Sequence, residues 1–195
     1  MGCAPVSNML RITLAEAQSR ITGSILGKTH AVPKTTNKGN VGQWLETAIG
    51  IPTSSACLDC LDGELKAFPL KTKGTTLASK ETIAITMVEP AVLLTQLFED
   101  SRVYKKLEHT LFVPYLRDGD NVTFYKPFLF TKEHSLMAEL KADYELIQTR
   151  AAAGVMTGSI GKYLQTRTKG PGHGSTSRAF YLRPLFADTL ILPTI

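Results

Sequence analysis

GNVGQWLETAIGIPTSSACLDCLDGELKAFPLK, residues 39–71, decides how the rest of the chain is read. Leu61 to Phe68 alternates with the period of two that marks a strand. Leu61, Gly63, Leu65 and Ala67 fall on one face, and Asp62, Glu64, Lys66 and Phe68 on the other. Glu64 and Lys66 therefore stand side by side, with Asp59 just upstream. Two carboxylates and a lysine converging on one strand are costly to place together unless something uses them. A divalent cation between the acids, with a water beside the lysine, is such a use. An E-x-K pair alone is also what a solvated edge strand carries, so the flanks have to decide.

Upstream, Asn40 to Gly50 reads as a helix, with Val41, Trp44, Leu45, Ala48 and Ile49 on an apolar stripe and Gly50 as its stop. Glu46 lies off that stripe. The order is a helix with a glutamate to spare, a short loop, an aspartate, and a strand bearing E-x-K. This is the D…ExK arrangement of magnesium-dependent nucleases.

Composition sets the bounds. The chain has 195 residues, 43% hydrophobic and 20% charged, enough for a sizeable core in one domain, or in one domain with two lobes around a cleft. Its 22 Lys+Arg against 17 Asp+Glu leave a net charge of +5, which permits nucleic acid without requiring it. No apolar run reaches membrane-spanning length, and the opening MGCAPVSNMLRITLAEAQ lacks the basic region and long apolar core of a secretion signal. The expectation is a cytoplasmic protein with no membrane partner. Cys3, Cys57 and Cys60 make an odd count, and Cys57-Leu-Asp-Cys60 leads into a strand with no further zinc ligands at a suitable spacing. Reduced thiols are expected rather than zinc or redox chemistry.

Around this centre, Thr13 to Gly27 reads as a first helix with a Thr13/Glu16 capping box, and Lys28 to Lys38 as a basic loop facing DNA phosphates or solvent. Lys71 to Lys80 reads as a turn. Thr82 to Val88 reads as a second strand pairing with the first, Thr110 to Tyr115 as a third and Val122 to Phe130 as a fourth. Ala91 to Phe98 is expected to carry Leu94, Leu97 and Phe98 inward, and Glu133 to Ala153 to form the longest helix. From Gly161 to Arg183, basic residues alternate with Tyr163, Phe180 and Tyr181 around a polar loop at residues 169–177. Basic side chains on such a strand–loop–strand can read guanine edges in the major groove, and an ordinary basic hairpin has the same pattern.

Several blocks together carry a family resemblance. GNVGQWLETAIG followed by GELKAFPLK resembles the core of the MutH mismatch-repair nickases and the related GATC-cutting Sau-type restriction endonucleases, within the PD-(D/E)xK nucleases. SRVYKKL (101–107) with LFVP (111–114), YLQTRTK (163–169) and RAFYL (178–182) are similar to further blocks of that family in the same order. The resemblance implies an α/β (α+β) restriction-endonuclease-like fold: one mixed central β-sheet flanked by helices, with two lobes around a DNA-binding cleft. The whole chain, 1–195, would be one such domain, with a catalytic core at about 39–130 and a DNA-reading region at about 161–183.

It implies a Mg²⁺-dependent endonuclease acting on double-stranded DNA at GATC-type sites, as a repair nickase or a type II restriction enzyme. The free protein would be a monomer, with a mismatch-repair activator as a further partner. The alternative is a sequence-specific DNA-binding module without catalysis. Asp59 and Glu64 would hold the cation with the backbone carbonyl of Leu65; Lys66 would act on the attacking water; Glu46 and Lys106 would complete the catalytic set. Arg167, Lys169, Arg178 and Tyr181 would contact DNA, with Tyr181 against the target adenine. Two departures stand. The five-residue step from Asp59 to Glu64 is shorter than the MutH spacing and leaves Asp62 as a rival ligand. The thirteen residues after RAFYL are fewer than the family's helical tail, which puts docking to the activator in question.

Overall fold

The structure is a computed structural model describing residues 11–52, 56–158, 160–169 and 177–191. Cys3 and most of the polar loop after Lys169 lie outside these residues. In chain order the elements are α1 (Leu14–Arg20, prolonged by a π turn at Ile21–Ile25), β1 (Thr29–Ala31), α2 (Asn40–Ala48), β2 (Glu64–Lys73), β3 (Thr76–Ser79), β4 (Ile83–Met87), α3 (Pro90–Leu93), a 3₁₀ turn (Phe98–Asp100), α4 (Arg102–Leu107), β5 (His109–Asp118), β6 (Asn121–Phe124), β7 (Phe128–Thr131), α5 (Leu136–Ala152), β8 (Leu164–Thr168), β9 (Arg178–Leu182) and α6 (Pro184–Ile191). They fall into two compact units, Met1–Leu70 with His109–Phe130, and Lys71–Glu108 with Thr131–Ile195. Among the described residues no helix is long and apolar enough to cross a membrane.

The first unit is built on β2 and β5, which run parallel in the register Glu64↔Thr110 through Leu70↔Leu116. β6 returns antiparallel beside β5, and β1 pairs antiparallel at the edge of β6. Parallel and antiparallel pairs thus meet in one mixed sheet. The expected strand over Val122 to Phe130 is two, β6 and β7, with Pro127 between them, where proline has no N–H for a ladder. One sheet face, Leu65, Leu111, Val113, Tyr115, Val122 and Phe124, packs in a single apolar cluster with Leu14, Ala17 and Ile21 of the first helix and Val41, Leu45 and Ile49 of the α2 stripe. Trp44 is half-buried, stacked on Phe124 at 5.8 Å and leaning on His30 at 4.9 Å. Ala48, expected on this stripe, is exposed. On the other sheet face Phe68, Phe112, Phe128 and Phe130 form an aromatic group.

The caps explain where the helices start and stop. Thr13 and Glu16 form the capping box, the Thr13 hydroxyl accepting from the Glu16 N–H and the Glu16 carboxylate from the Thr13 N–H. β2 begins at Glu64, three residues later than expected, because Leu61 to Gly63 bend. It then runs on through the segment read as a turn and folds back at Gly74 into β3.

The second unit corrects the expectation of a single sheet. β4, expected to pair with the E-x-K strand, instead pairs antiparallel with β9, and β9 with β8, in a separate three-stranded sheet. A strand's hydrophobic pattern does not name its neighbour, and this partner lies about ninety residues downstream. The Phe180 side of that sheet lies on α5, where Tyr144 stacks on Phe180 at 5.6 Å and meets Phe98 at 5.5 Å. Leu140 and Ile147 share this buried stripe. Leu94 and Leu97, expected inward, are 54% and 67% exposed, while Leu93 and Phe98 take the buried places.

A buried carboxylate locks the entry to β8. Asp143 accepts hydrogen bonds from the N–H groups of Lys162, Tyr163 and Leu164 at 2.7, 2.6 and 2.8 Å. Gly161 makes the approach feasible: its φ is +91°, and a β-carbon there would sit 1.9 Å from the Leu164 carbonyl oxygen. Asp143→Ala strands two buried donors, each costing about 1–3 kcal/mol. Urea unfolding is expected to show a loss of about 3–4 kcal/mol at constant slope, with Asp143→Asn in between. An unchanged midpoint for the alanine variant would refute this role.

Candidate functional site

Glu64 opens β2 because of the residue before it. A β-carbon on Gly63 would stand 2.3 Å from the His109 carbonyl oxygen and 2.4 Å from a Leu14 methyl, so only glycine lets the chain come this close to the head of β5. Glu64 is consequently buried, at 1% exposure. Its Oε1 receives the Lys66 ammonium at 2.6 Å, two residues along the same face. Lys66 keeps partial access to solvent, its side chain 22% exposed. Stability gives little reason for such a pair, since apolar residues of the same volume hold a core equally well or better.

The two rival aspartates part company. The Asp59 carboxylate accepts the N–H of Leu65 at 3.1 Å, which sets it against β2 beside Glu64. The Asp62 carboxylate turns the other way and accepts the N–H of Leu14 at 2.7 Å, holding the first turn of α1, while its carbonyl receives His109 Nδ1 at 2.6 Å. Asp62 was expected on the Glu64 strand face, but it lies in the bend before β2.

Glu46 comes from α2. Burial pushes its carboxyl above the ordinary glutamate value; the charge of Asp59 pushes it further, Lys66 opposes, and Glu64 adds to the rise. Three carboxylates and one ammonium therefore share a single electrostatic neighbourhood. Cys60, next to Asp59, is fully buried, and its thiol is pushed up to about 12 by burial and then by Asp59 and Asp62. A thiol in that state is neither a nucleophile nor a ready metal ligand. Cys57 is exposed, and neither cysteine is in a disulfide.

Among the described residues, no group of three His, Cys, Asp or Glu side chains could cage a cation unaided. Magnesium needs only one or two protein carboxylates and keeps several waters. Asp59 and Glu64 provide two hard oxygen donors. Burial, and then the like charges of Asp59 and Glu64, raise Glu46, and a cation would relieve the second of these. The donor set fits such an ion. Leu65 presents its backbone at this place while its side chain is in the core.

The remaining candidates belong to the second unit. Lys106 sits in the last turn of α4, half-buried, beside exposed Lys105. In the β8–β9 ladder Gln165 faces Tyr181 and Arg167 faces Ala179, so Arg167 and Tyr181 lie on one face, and alternation adds Lys169. Arg167 and Lys169 are exposed and Tyr181 half-buried. The Lys169 N–H donates to the Ser177 carbonyl at 2.8 Å and carries the ladder one step further. Arg178 lies on the opposite face. Its guanidinium is bonded to the Thr166 carbonyl at 3.1 Å and the Thr166 hydroxyl at 3.2 Å.

Sequence reasoning missed Arg11 and Asp143. Arg11 donates to the carbonyls of Leu58 and, at 2.7 Å, Cys60. Nothing in its surroundings in the sequence announces this. Asp143 did carry a signal: it falls at helical spacing between Leu140 and Ile147, a carboxylate on a buried stripe.

Compared with known proteins, the chain matches the family model described as the DNA mismatch repair enzyme MutH over residues 53–143. That span covers Asp59, the E-x-K strand and Lys106, and stops before β8 and β9. No curated protein matches the chain. The matched segment carries Asp59, Glu64 and Lys66 of the site described above, while Glu46 of α2 precedes it. Over this stretch, a little under half of the chain, the protein is thus similar to the MutH family of DNA mismatch-repair enzymes.

Proposed function

We propose that the protein is a Mg²⁺-dependent endonuclease that hydrolyses phosphodiester bonds of double-stranded DNA at GATC-type sites. The observation that carries this reading is the buried Glu64–Lys66 pair with Asp59 and Glu46 gathered around it. Asp59 and Glu64 would hold the Mg²⁺, which when bound would supply charge neutralisation at the phosphate and acidity to water. Asp59 is kept in place by the Leu65 N–H, and Glu64 by the ammonium of Lys66. Lys66, partly open to solvent, orients the attacking water and faces the negative charge that builds up on phosphorus. Glu46, its proton affinity raised, accepts a hydrogen bond from a further water. Lys106 adds positive charge toward the phosphodiester. Arg167 and Lys169 read guanine edges, and Tyr181 lies against the adenine, where an added methyl group must fit or clash. Arg178 supports the reading strand through Thr166. A monomeric, cytoplasmic protein answering to a mismatch-repair activator completes the reading. The decisive assay is plasmid cleavage with Mg²⁺ on unmethylated, hemimethylated and fully methylated DNA. Nicked circles indicate a repair nickase and linear products a restriction enzyme. Binding without cleavage leaves the inactive module.

Glu64→Ala and Lys66→Ala are each expected to abolish cleavage while DNA binding in EDTA stays within about twofold, since phosphate and base contacts lie elsewhere. Asp59→Asn should do the same, whereas Asp62→Asn should cut DNA and lose some thermal stability, having weakened the Leu14 contact. Wild-type cleavage by either the Glu64 or the Lys66 variant would sink the assignment.

Glu46 gives a pH test in the metal-free protein. Its folded-state value is raised above the ordinary 4.5, so the folded state favours the protonated form and carries a cost once the carboxyl ionises. Glu46→Gln removes that cost. It should raise the unfolding midpoint at neutral pH, and the gain should shrink as pH falls through the raised value and vanish below 4.5. A gain independent of pH would contradict this.

Lys169→Ala should lose cleavage of the cognate site while keeping weak, salt-sensitive, non-specific binding. Loss of one good base contact costs about 1–3 kcal/mol of discrimination. If the variant cuts the same site at the same rate, the reading surface lies elsewhere, and the basic loop Lys28 to Lys38 is the next place to look.

A further inference from the structure

Residues 11–14 hold the segment that carries Asp59 at several points. The Arg11 guanidinium donates to the carbonyls of Leu58 and Cys60, the two residues that flank Asp59. The Leu61 N–H donates to the Ile12 carbonyl at 3.0 Å, and the Leu14 N–H to Asp62 at 2.7 Å. Within the segment, the Cys60 N–H closes a turn onto the Gly63 carbonyl at 2.9 Å, with the Cys60 side chain wholly buried. The outcome is the carboxylate of Asp59 on the Leu65 N–H. Apart from the arginine, the Cys60 N–H bond holds the peptide that follows Asp59, but none of these contacts holds the peptide that precedes it. Arg11 supplies that hold: its Nη2 donates to the Leu58 carbonyl, in the peptide before Asp59, and also to the Cys60 carbonyl beyond it, so one nitrogen spans the residue from both sides.

We infer that Arg11 is a positioning residue, a clamp that presets the Asp59 carboxylate for a divalent cation. The inference rests on the assignment of Asp59 as a cation ligand in the proposed function. It makes a prediction opposite in sign to the simpler view of Arg11 as a nearby charge. A guanidinium close to Asp59 repels a cation, so if charge were its whole contribution, removing it would tighten cation binding. If it positions Asp59, removing it loosens binding, as loss of groups that orient metal ligands does, by about ten- to a hundredfold.

The test is the affinity of Mn²⁺, added alone, for the full chain, measured by calorimetry or by the loss of its free paramagnetic signal. It is done on wild type, Arg11→Ala and Arg11→Lys, together with hydrogen exchange at the Leu65 amide in the absence of metal. The expected result is Mn²⁺ bound about tenfold or more weakly by both variants. The Leu65 amide should exchange faster in both, and DNA binding in EDTA should be unchanged. Equal or tighter Mn²⁺ binding by Arg11→Ala overturns the inference, and so does full recovery in Arg11→Lys, which keeps the charge on a side chain too short to reach the place of Nη2. If Arg11→Ala does not fold by circular dichroism, Arg11→Lys decides by the same two measurements. A wild type that binds no Mn²⁺ counts against the proposed function, and unchanged Leu65 exchange in the variants counts against the clamp alone.

Discussion

The approach of Gly63 to the head of β5 is the constraint on which the first unit depends. The backbone passes so close to the His109 carbonyl and Leu14 that no β-carbon fits, and from there β2 enters the sheet parallel to β5. Parallel pairing in the middle of a mixed sheet buries both faces of a strand. One face of β2 takes the expected apolar residues, Leu65 and Ala67, against α1 and α2. The other face begins with Glu64, and a carboxylate cannot stay charged there alone. Lys66 is the partner that sequence spacing makes available on the same face. The ion pair is therefore a consequence of where the strand is anchored, and its partial exposure at Lys66 leaves one end of the pair open for chemistry.

Much of this was legible in the residues themselves. The capping box at Thr13 and Glu16, the stop at Gly50, the stripe of Val41, Leu45 and Ile49 and the side-by-side placement of Glu64 and Lys66 are local facts, fixed by periods of 3.6 and 2. Glu46 could be read from the residues only as lying off the apolar stripe; that it meets the acids was implied by the family resemblance. What escaped was non-local. The pattern of Ile83 to Met87 announces a strand but cannot say that it pairs with Arg178–Leu182 in another sheet. Leu94 and Leu97 looked like core residues because hydrophobicity says nothing of whether a short helix presents a second face to anything. The β8–β9 register, which places Arg178 on the face opposite Arg167, is likewise not written in its neighbours.

The aspartates show the same limit most clearly. Asp59 meets the Leu65 N–H, Asp62 that of Leu14, Asp120 that of Lys34, Asp143 three at the entry to β8, and Asp188 that of Ser79. A short carboxylate is a good acceptor for a backbone donor that has no partner in a helix or ladder, and this chain uses it repeatedly to join segments far apart in sequence. An aspartate near an E-x-K strand is thus no metal ligand by default. Asp62 is closer in sequence to Glu64 and shares its strand parity, yet its carboxylate is committed to helix α1.

That distinction turns on direction, and direction is set by the peptides on either side. Asp59 and Asp62 lie within one short bend, so a rotation of a single peptide plane would swing either carboxylate toward or away from β2. The bend is held in one state by contacts from outside it: Arg11 on two carbonyls, Ile12 on the Leu61 N–H, and Cys60 packed in the core. Burial, and after it the charges of Asp59 and Asp62, keep the Cys60 thiol protonated rather than competing for a cation. A polar site of this kind is specified less by the acids that would do its chemistry than by the apolar side chain and the guanidinium that leave them no other way to point.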